Sequence, residues 1–145
     1  MTTKKGFFNH VESVQPKAVS AEDGWHQVDI RFLLPESLEL ASPLAPFRAT
    51  FPPGAEHRTH THPDADEFVY VISGRCALGA GDEEREGGAG SVQLIPAGVV
   101  HWLRNLDPES PVEVVGGYLG VRSLEKAGYL YVPGHALPGQ AASGG

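Results

Sequence analysis

Cysteine is nearly missing from this chain of 145 residues: Cys76 stands alone, so no internal disulfide framework can hold the fold. Its place after Gly74-Arg75 in an alternating run reads as a small buried core residue. Basic residues are scarce as well, 11 against 18 acidic ones, and the formal net charge of −7 argues against a nucleic-acid or anionic-membrane partner. No apolar stretch approaches the length of a membrane span. The longest clear one runs from Phe68 to Ile72, and Met1-Thr2-Thr3-Lys4-Lys5 leads into no sustained apolar segment. These absences predict a soluble, cytoplasmic protein. No internal repeat or domain boundary is visible either, and 145 residues suffice for one domain with one ordinary core.

Glycine and proline are plentiful, together about a fifth of the chain where roughly 12% is usual. That disfavours a helical bundle. With 41% hydrophobic and 20% charged residues the chain is too apolar to be disordered, so the breakers punctuate many short strands. The expected fold class is all-β, a sandwich or barrel of short antiparallel strands. Residues 1–24 hold few strand signals and read as an arm that packs on the domain or on a partner subunit. The domain proper spans 25–137, and the Gly/Ala/Ser-rich residues 138–145 read as a flexible tail. His26, Val28, Ile30, Phe32 and Leu34 alternate with polar neighbours and predict one half-buried strand. Phe47, Ala49 and Phe51 predict a second, ending at Pro52-Pro53-Gly54. Further strands are expected over 67–73, 76–80, 91–95, 99–106 and 112–121. The charge run over 82–88 reads as a solvated hairpin end.

Three of the seven histidines crowd into His57-Arg58-Thr59-His60-Thr61-His62, followed by Asp64, Asp66 and Glu67. On a strand, side chains at i and i+2 share a face, so His60 and His62 can converge on one ion. Imidazole suits zinc, iron, nickel or copper, and a carboxylate adds a hard oxygen and a compensating charge. Glu67 fits that role, because Pro63 and Asp64 can turn the chain back into the run that Glu67 opens. His101, just after Pro96-Ala97-Gly98, would complete the site from a distant strand. His57 has the opposite parity to His60, so a regular strand turns it away. A bulge near Pro53-Gly54 could bring it round as an extra ligand or a base. If Glu67 points inward, Val69 and Val71 share its face, and Leu103 shares that of His101, which makes an apolar pocket wall. On the opposite face Phe68, Tyr70, Ile72 and Trp102 would form an aromatic-rich surface that a homodimer, or alternatively the N-terminal arm, would cover.

The spacing Gly54, five residues, His60-Thr61-His62, four residues, Glu67, six residues, Gly74 is followed by a second set. That set is Gly90, five residues, Pro96-Ala97-Gly98, two residues, His101, three residues, Asn105. Both match the motifs of the cupin superfamily, which the sequence resembles over residues 54–105. The resemblance implies a single jelly-roll barrel with one divalent metal held by His60, His62, Glu67 and His101. Length and a lysine-poor, Ala/Gly/Pro/Glu/Arg-rich composition also resemble the small cupin-type cyclases of aromatic polyketide pathways in actinomycetes, resistomycin biosynthesis among them.

Three His and one Glu leave one or two metal positions open, which suits chelation of a 1,3-dicarbonyl or enediol through two oxygens. An apolar wall favours a polyketide or aromatic body over a sugar. The reading is a metal-dependent polyketide cyclase that closes rings by aldol chemistry in antibiotic biosynthesis, with Glu67 or His57 as base. Zinc is favoured because that reaction moves no electrons to oxygen, while Fe, Ni, Mn, Cu and Co also suit the ligands. A cupin dioxygenase acting on a chelated diketone or flavonol-like substrate is the alternative, and a non-enzymatic binding module for metal or small molecules the second.

Overall fold

The computed structural model describes residues 5–139, in which two 3₁₀ turns (Val11–Ser13 and Ala21–Asp23) precede a succession of short strands with one α-helical turn near the end. They are β1 (Trp25–His26), β2 (Asp29–Phe32), β3 (Leu44–Phe51), β4 (Glu56–Thr61), β5 (Glu67–Ser73) and β6 (Cys76–Ala80). Then come β7 (Glu83–Gly87), β8 (Val92–Ile95), β9 (His101–Asn105), β10 (Val112–Leu119), α1 (Leu124–Ala127) and β11 (Leu130–Tyr131). They form two antiparallel sheets. The first has the order β1-β4-β9-β6-β7, with β11 also paired to β4, and the second the order β2-β3-β10-β5-β8. The all-β, jelly-roll-like double sheet expected from the breakers is what the chain adopts. Among the described residues no helix is long and apolar enough to cross a membrane.

Alternation decides which side chains enter the core. Along β3 it is strict, with Ala45, Phe47, Ala49 and Phe51 buried and their neighbours half-exposed. Opposite them, Leu78 and Leu103 of the first sheet join the same cluster, together with Val69, Val71, Val112 and Val114 of the second. Cys76 is fully buried in this core, and burial together with Glu86 pushes its thiol up to about 11, which keeps it inert at neutral pH.

Three expectations need correction. The run 26–34 is not one strand, because Gln27 adopts φ +63 and breaks it. The chain thereby passes from β1, paired to β4, to β2, paired to β3 in the other sheet. The charge run is not merely a hairpin end, since β7 pairs along the length of β6 as the edge of the first sheet. Glu83, Arg85 and Glu86 are exposed at this edge, where they discourage pairing with another chain, while Glu84 is half-buried. Finally, Trp102 does not extend the outer surface of Phe68, Tyr70 and Ile72. It lies on the other sheet and is buried, with its ring across the backbone of Gly79 and its indole N–H donating to Glu84 at 2.6 Å. A Cβ at Gly79 would stand 1.8 Å from that ring, so the site tolerates only glycine.

The described part of the arm, residues 5–24, runs along β2. The Lys17 amide donates to Ile30 O, and the Arg31 guanidinium donates to the carbonyls of Val11 and Val14. Of the segment expected to be a flexible tail, residues 140–145 lie outside the described residues.

Candidate metal centre

His60 sits on β4, His62 follows directly on that strand, Glu67 opens β5 and His101 opens β9. β4 and β9 are neighbours with His60 opposite His101, while Glu67 faces them from the second sheet. One ligand atom from each of the four residues falls within 4.8 Å of the others, and all four are buried. The turn at Pro96-Ala97-Gly98 locks the two halves together. Gly98 N donates to His62 O at 2.9 Å, and Ala97 N donates to the Asp66 carboxylate at 2.8 Å. Gly98 makes its turn at φ +84, in the left-handed region that glycine enters without strain.

Each of the three imidazoles is aimed by a backbone carbonyl. His60 Nδ1 donates to Arg58 O at 2.6 Å, His62 Nδ1 to Gly128 O at 2.8 Å and His101 Nδ1 to Val99 O at 2.9 Å. A neutral ring that donates through Nδ1 keeps a lone pair on Nε2, which is how a metal-binding histidine is oriented by its surroundings. Here the Nε2 atoms of His101 and His62 lie 2.9 and 3.3 Å from Glu67 Oε1, and His62 Nε2 is buried without a hydrogen-bond partner. Lone pairs and a carboxylate thus converge, an arrangement that repels itself unless positive charge sits among them. A divalent cation fits this donor set.

Without a cation, an imidazole N–H must take its place beside Glu67: burial would raise the carboxyl, but such a hydrogen bond from His101, with His62 beside it, outweighs burial and brings it down to about 2. It is therefore a carboxylate at neutral pH. Burial, reinforced by the neighbouring histidines, pushes His60 well below the ordinary imidazole value, so it is neutral and available as a ligand.

His57 comes inward through a bulge, but not at Pro53-Gly54. The bulge lies within β4, where His57 and His60 are three residues apart while their partners Leu103 and His101 are two apart. The extra residue cancels the parity difference. His57 stacks on His60 with ring centroids 3.5 Å apart and on Trp25 at 3.6 Å. Its Nε2 lies 2.9 Å from the Tyr129 hydroxyl, which donates in turn to Asp23 O. Because Tyr129 spends its proton on that carbonyl, His57 donates through Nε2 and keeps its Nδ1 lone pair free. Burial above all, reinforced by the neighbouring His101, holds His57 neutral as well.

A buried cavity of about 40 Å³ adjoins the cluster. Val69 and Leu103 line it, as do Phe47, Val114 and Tyr118. Val71, expected beside them, packs fully buried in the core and is not part of the wall. Trp25, Tyr118 and Tyr129 are the contributors that strand parity does not reveal. Tyr118 sits opposite Glu67 on β10, and Tyr129 reaches the centre from the segment between α1 and β11.

Residues 47–118 match the family profile described as Cupin domain. A germin-like protein 3-1 of Oryza sativa subsp. japonica is 33% identical over 82 residues, covering 53% of this chain and 36% of that protein. The chain spans only about a third of the length of the plant relatives it matches. Among solved structures, the polyketide cyclase RemF from Streptomyces resistomycificus superposes with a TM-score of 0.67 at 20% identity, over 81% of this chain and 82% of that one. A predicted oxalate decarboxylase from Thermotoga maritima gives 0.65 at 19% identity, over 79% of this chain and all of the other. At such identities the likeness concerns architecture alone, and together with the matched domain it establishes that this chain is built on the cupin fold.

Proposed function

We propose that the protein is a metal-dependent enzyme that binds an enolisable dicarbonyl compound, and specifically that it closes rings of a poly-β-keto chain by aldol chemistry. The observation that carries this reading is the convergence of three imidazole lone pairs and one carboxylate beside an apolar cavity. A divalent metal there supplies Lewis acidity, which acidifies the carbon between two chelated carbonyls. Zinc is the favoured ion, because ring closure transfers no electrons to oxygen.

The remaining work falls to the chain's own side chains. Val69, Leu103 and Phe47 exclude water from the reacting carbon. His57, with its free Nδ1 and its ring fixed between Trp25 and His60, is placed to accept the proton, and Glu67 is the other base within reach. The carbon that loses the proton bonds to a distal carbonyl, which becomes a hydroxyl and leaves as water when the ring aromatises. A dioxygenase acting on a chelated diketone is the second reading, because the same three imidazoles and carboxylate would suit iron, nickel or copper as well as zinc. A homodimer belongs to the proposal too, docked through the exposed Tyr70 and Ile72; a monomer in sedimentation at micromolar concentration would remove it.

The deciding experiment assays the zinc-loaded and iron-loaded protein on a poly-β-keto substrate with and without air. Activity that survives strict anaerobiosis with zinc supports the cyclase. Dependence on oxygen, or rescue by iron alone, transfers the assignment to the dioxygenase.

A further inference from the structure

The cavity at the metal centre is far smaller than the substrate proposed for it. About 40 Å³ holds a few water-sized bodies, whereas drug-sized ligands occupy roughly 300–1,000 Å³. A larger space exists nearby. Where the sheets end in β7 and β8 the sandwich is open, and a cleft of about 480 Å³ runs between these edges. Leu78, Ala80, Val92 and Leu94 supply apolar surface to it. Its charged groups are Glu83, Arg85 and Glu86, and Arg85 is already paired with Glu83 at 3.2 Å, so the cleft offers no free cation for an anionic ligand.

Cleft and cavity have one lining residue in common, Gln93. It points inward from β8 opposite Val69, and its amide donates across to Gly79 O of the other sheet at 3.2 Å. Ala80, on the cleft side, pairs with the ligand His101, so the centre lies one strand spacing, roughly 4.8 Å, behind this wall. The other sizeable groove, about 440 Å³ beneath residues 131–137, also borders the cavity through His57, Trp102 and Leu103, but Glu56, Arg58 and Arg104 line it, and these charged groups suit an uncharged apolar body less than the cleft does.

The geometry points to the β7–β8 cleft as the seat of the substrate's uncharged apolar body, and to Gln93 as the gate that swings aside to pass its dicarbonyl head to the centre. This rests on the chelating-enzyme reading for the nature of the head, while the gate itself does not. The hydrogen bond to Gly79 O is what holds the gate shut.

The test loads the full chain with cobalt(II) and follows ligand entry by absorbance in stopped flow, using azide and dibenzoylmethane as probes. Gln93→Ala is expected to speed association of both about fivefold, the factor that a net hydrogen bond of roughly 1 kcal/mol represents, with metal content unchanged and the melting temperature lowered by only a few degrees. Leu94→Asp, at an exposed rim position, is expected to weaken dibenzoylmethane several-fold and to leave azide untouched. Identical azide and dibenzoylmethane rates in wild type and Gln93→Ala would overturn the gate, and an unchanged dibenzoylmethane affinity in Leu94→Asp would overturn the cleft. If dibenzoylmethane fails to bind the wild-type centre, the chelation reading falls with the cleft, and the azide rates still judge the gate.

Discussion

The two sheets furnish the cavity in opposite ways. From the first come His57, His60 and His101, with His62 directly after β4, and each ring is fixed by a hydrogen bond to a carbonyl or to Tyr129. From the second come Phe47, Val69 and Val114, held by packing, and a single charged group, Glu67. Directional bonds aim the donors, while non-directional burial shapes the wall. The centre is therefore set by backbone geometry on one side and by side-chain volume on the other, and Glu67 alone brings a charge across between them.

Replacing donors of the first sheet should have the largest effect. His60→Ala, His62→Ala and His101→Ala are each expected to lose most bound metal, measured by elemental analysis after gel filtration, because too few ligands remain. Near-stoichiometric metal in any one of them would take that residue out of the ligand set.

Glu67→Gln comes next, since it removes the charge that crosses between the sheets. Weaker metal binding is expected, together with a change in acid stability of the metal-free protein. The carboxyl titrates at about 2 in the folded chain against an ordinary 4.5, so its charge stabilises the fold above 4.5. That contribution fades as pH falls from 4.5 towards 2. Urea midpoints of the wild type should drop through this window more steeply than those of the variant, and parallel curves would show that Glu67 gains nothing from its neighbours.

On the apolar side, Val69→Ala is expected to cost roughly 2 kcal/mol in denaturant unfolding and to leave metal stoichiometry intact. Loss of metal in this variant would erase the distinction between the sheets. The smallest change is expected from Tyr129→Phe, which removes the partner of His57 for about 1 kcal/mol of stability and retains the metal. Any proton transfer by His57 should then slow, and an unaltered pH–rate profile would take His57 out of the chemistry.

The ligands were legible in the sequence because strand parity and turn residues translate directly into facing. His60 and Glu67 come from strands, and the turn before His101 is marked by proline and glycine. His57 was harder to place, since one bulged residue reverses the parity rule and nothing local marks the bulge between His57 and His60. The segment 82–88 misled for a different reason. An edge strand whose side chains are mostly solvated shows no alternation, so β7 reads as no more than a solvated hairpin end. Trp102 had the expected outward direction on its strand, but which sheet that strand joins depends on pairings between distant segments. Gln27 shows the same limit, because continuous alternation on both sides hides a change of sheet at a single left-handed residue.

The carbonyl that orients His62 belongs to Gly128, 66 residues further along the chain. During synthesis the ribosome must therefore release the chain through that glycine before all three imidazoles can be aimed. At about 5–20 residues per second, the His-x-His segment waits at least several seconds in an unfinished state. Metal captured in that interval would meet unaimed histidines, so selection among ions belongs to the completed fold rather than to the motif that first announces it.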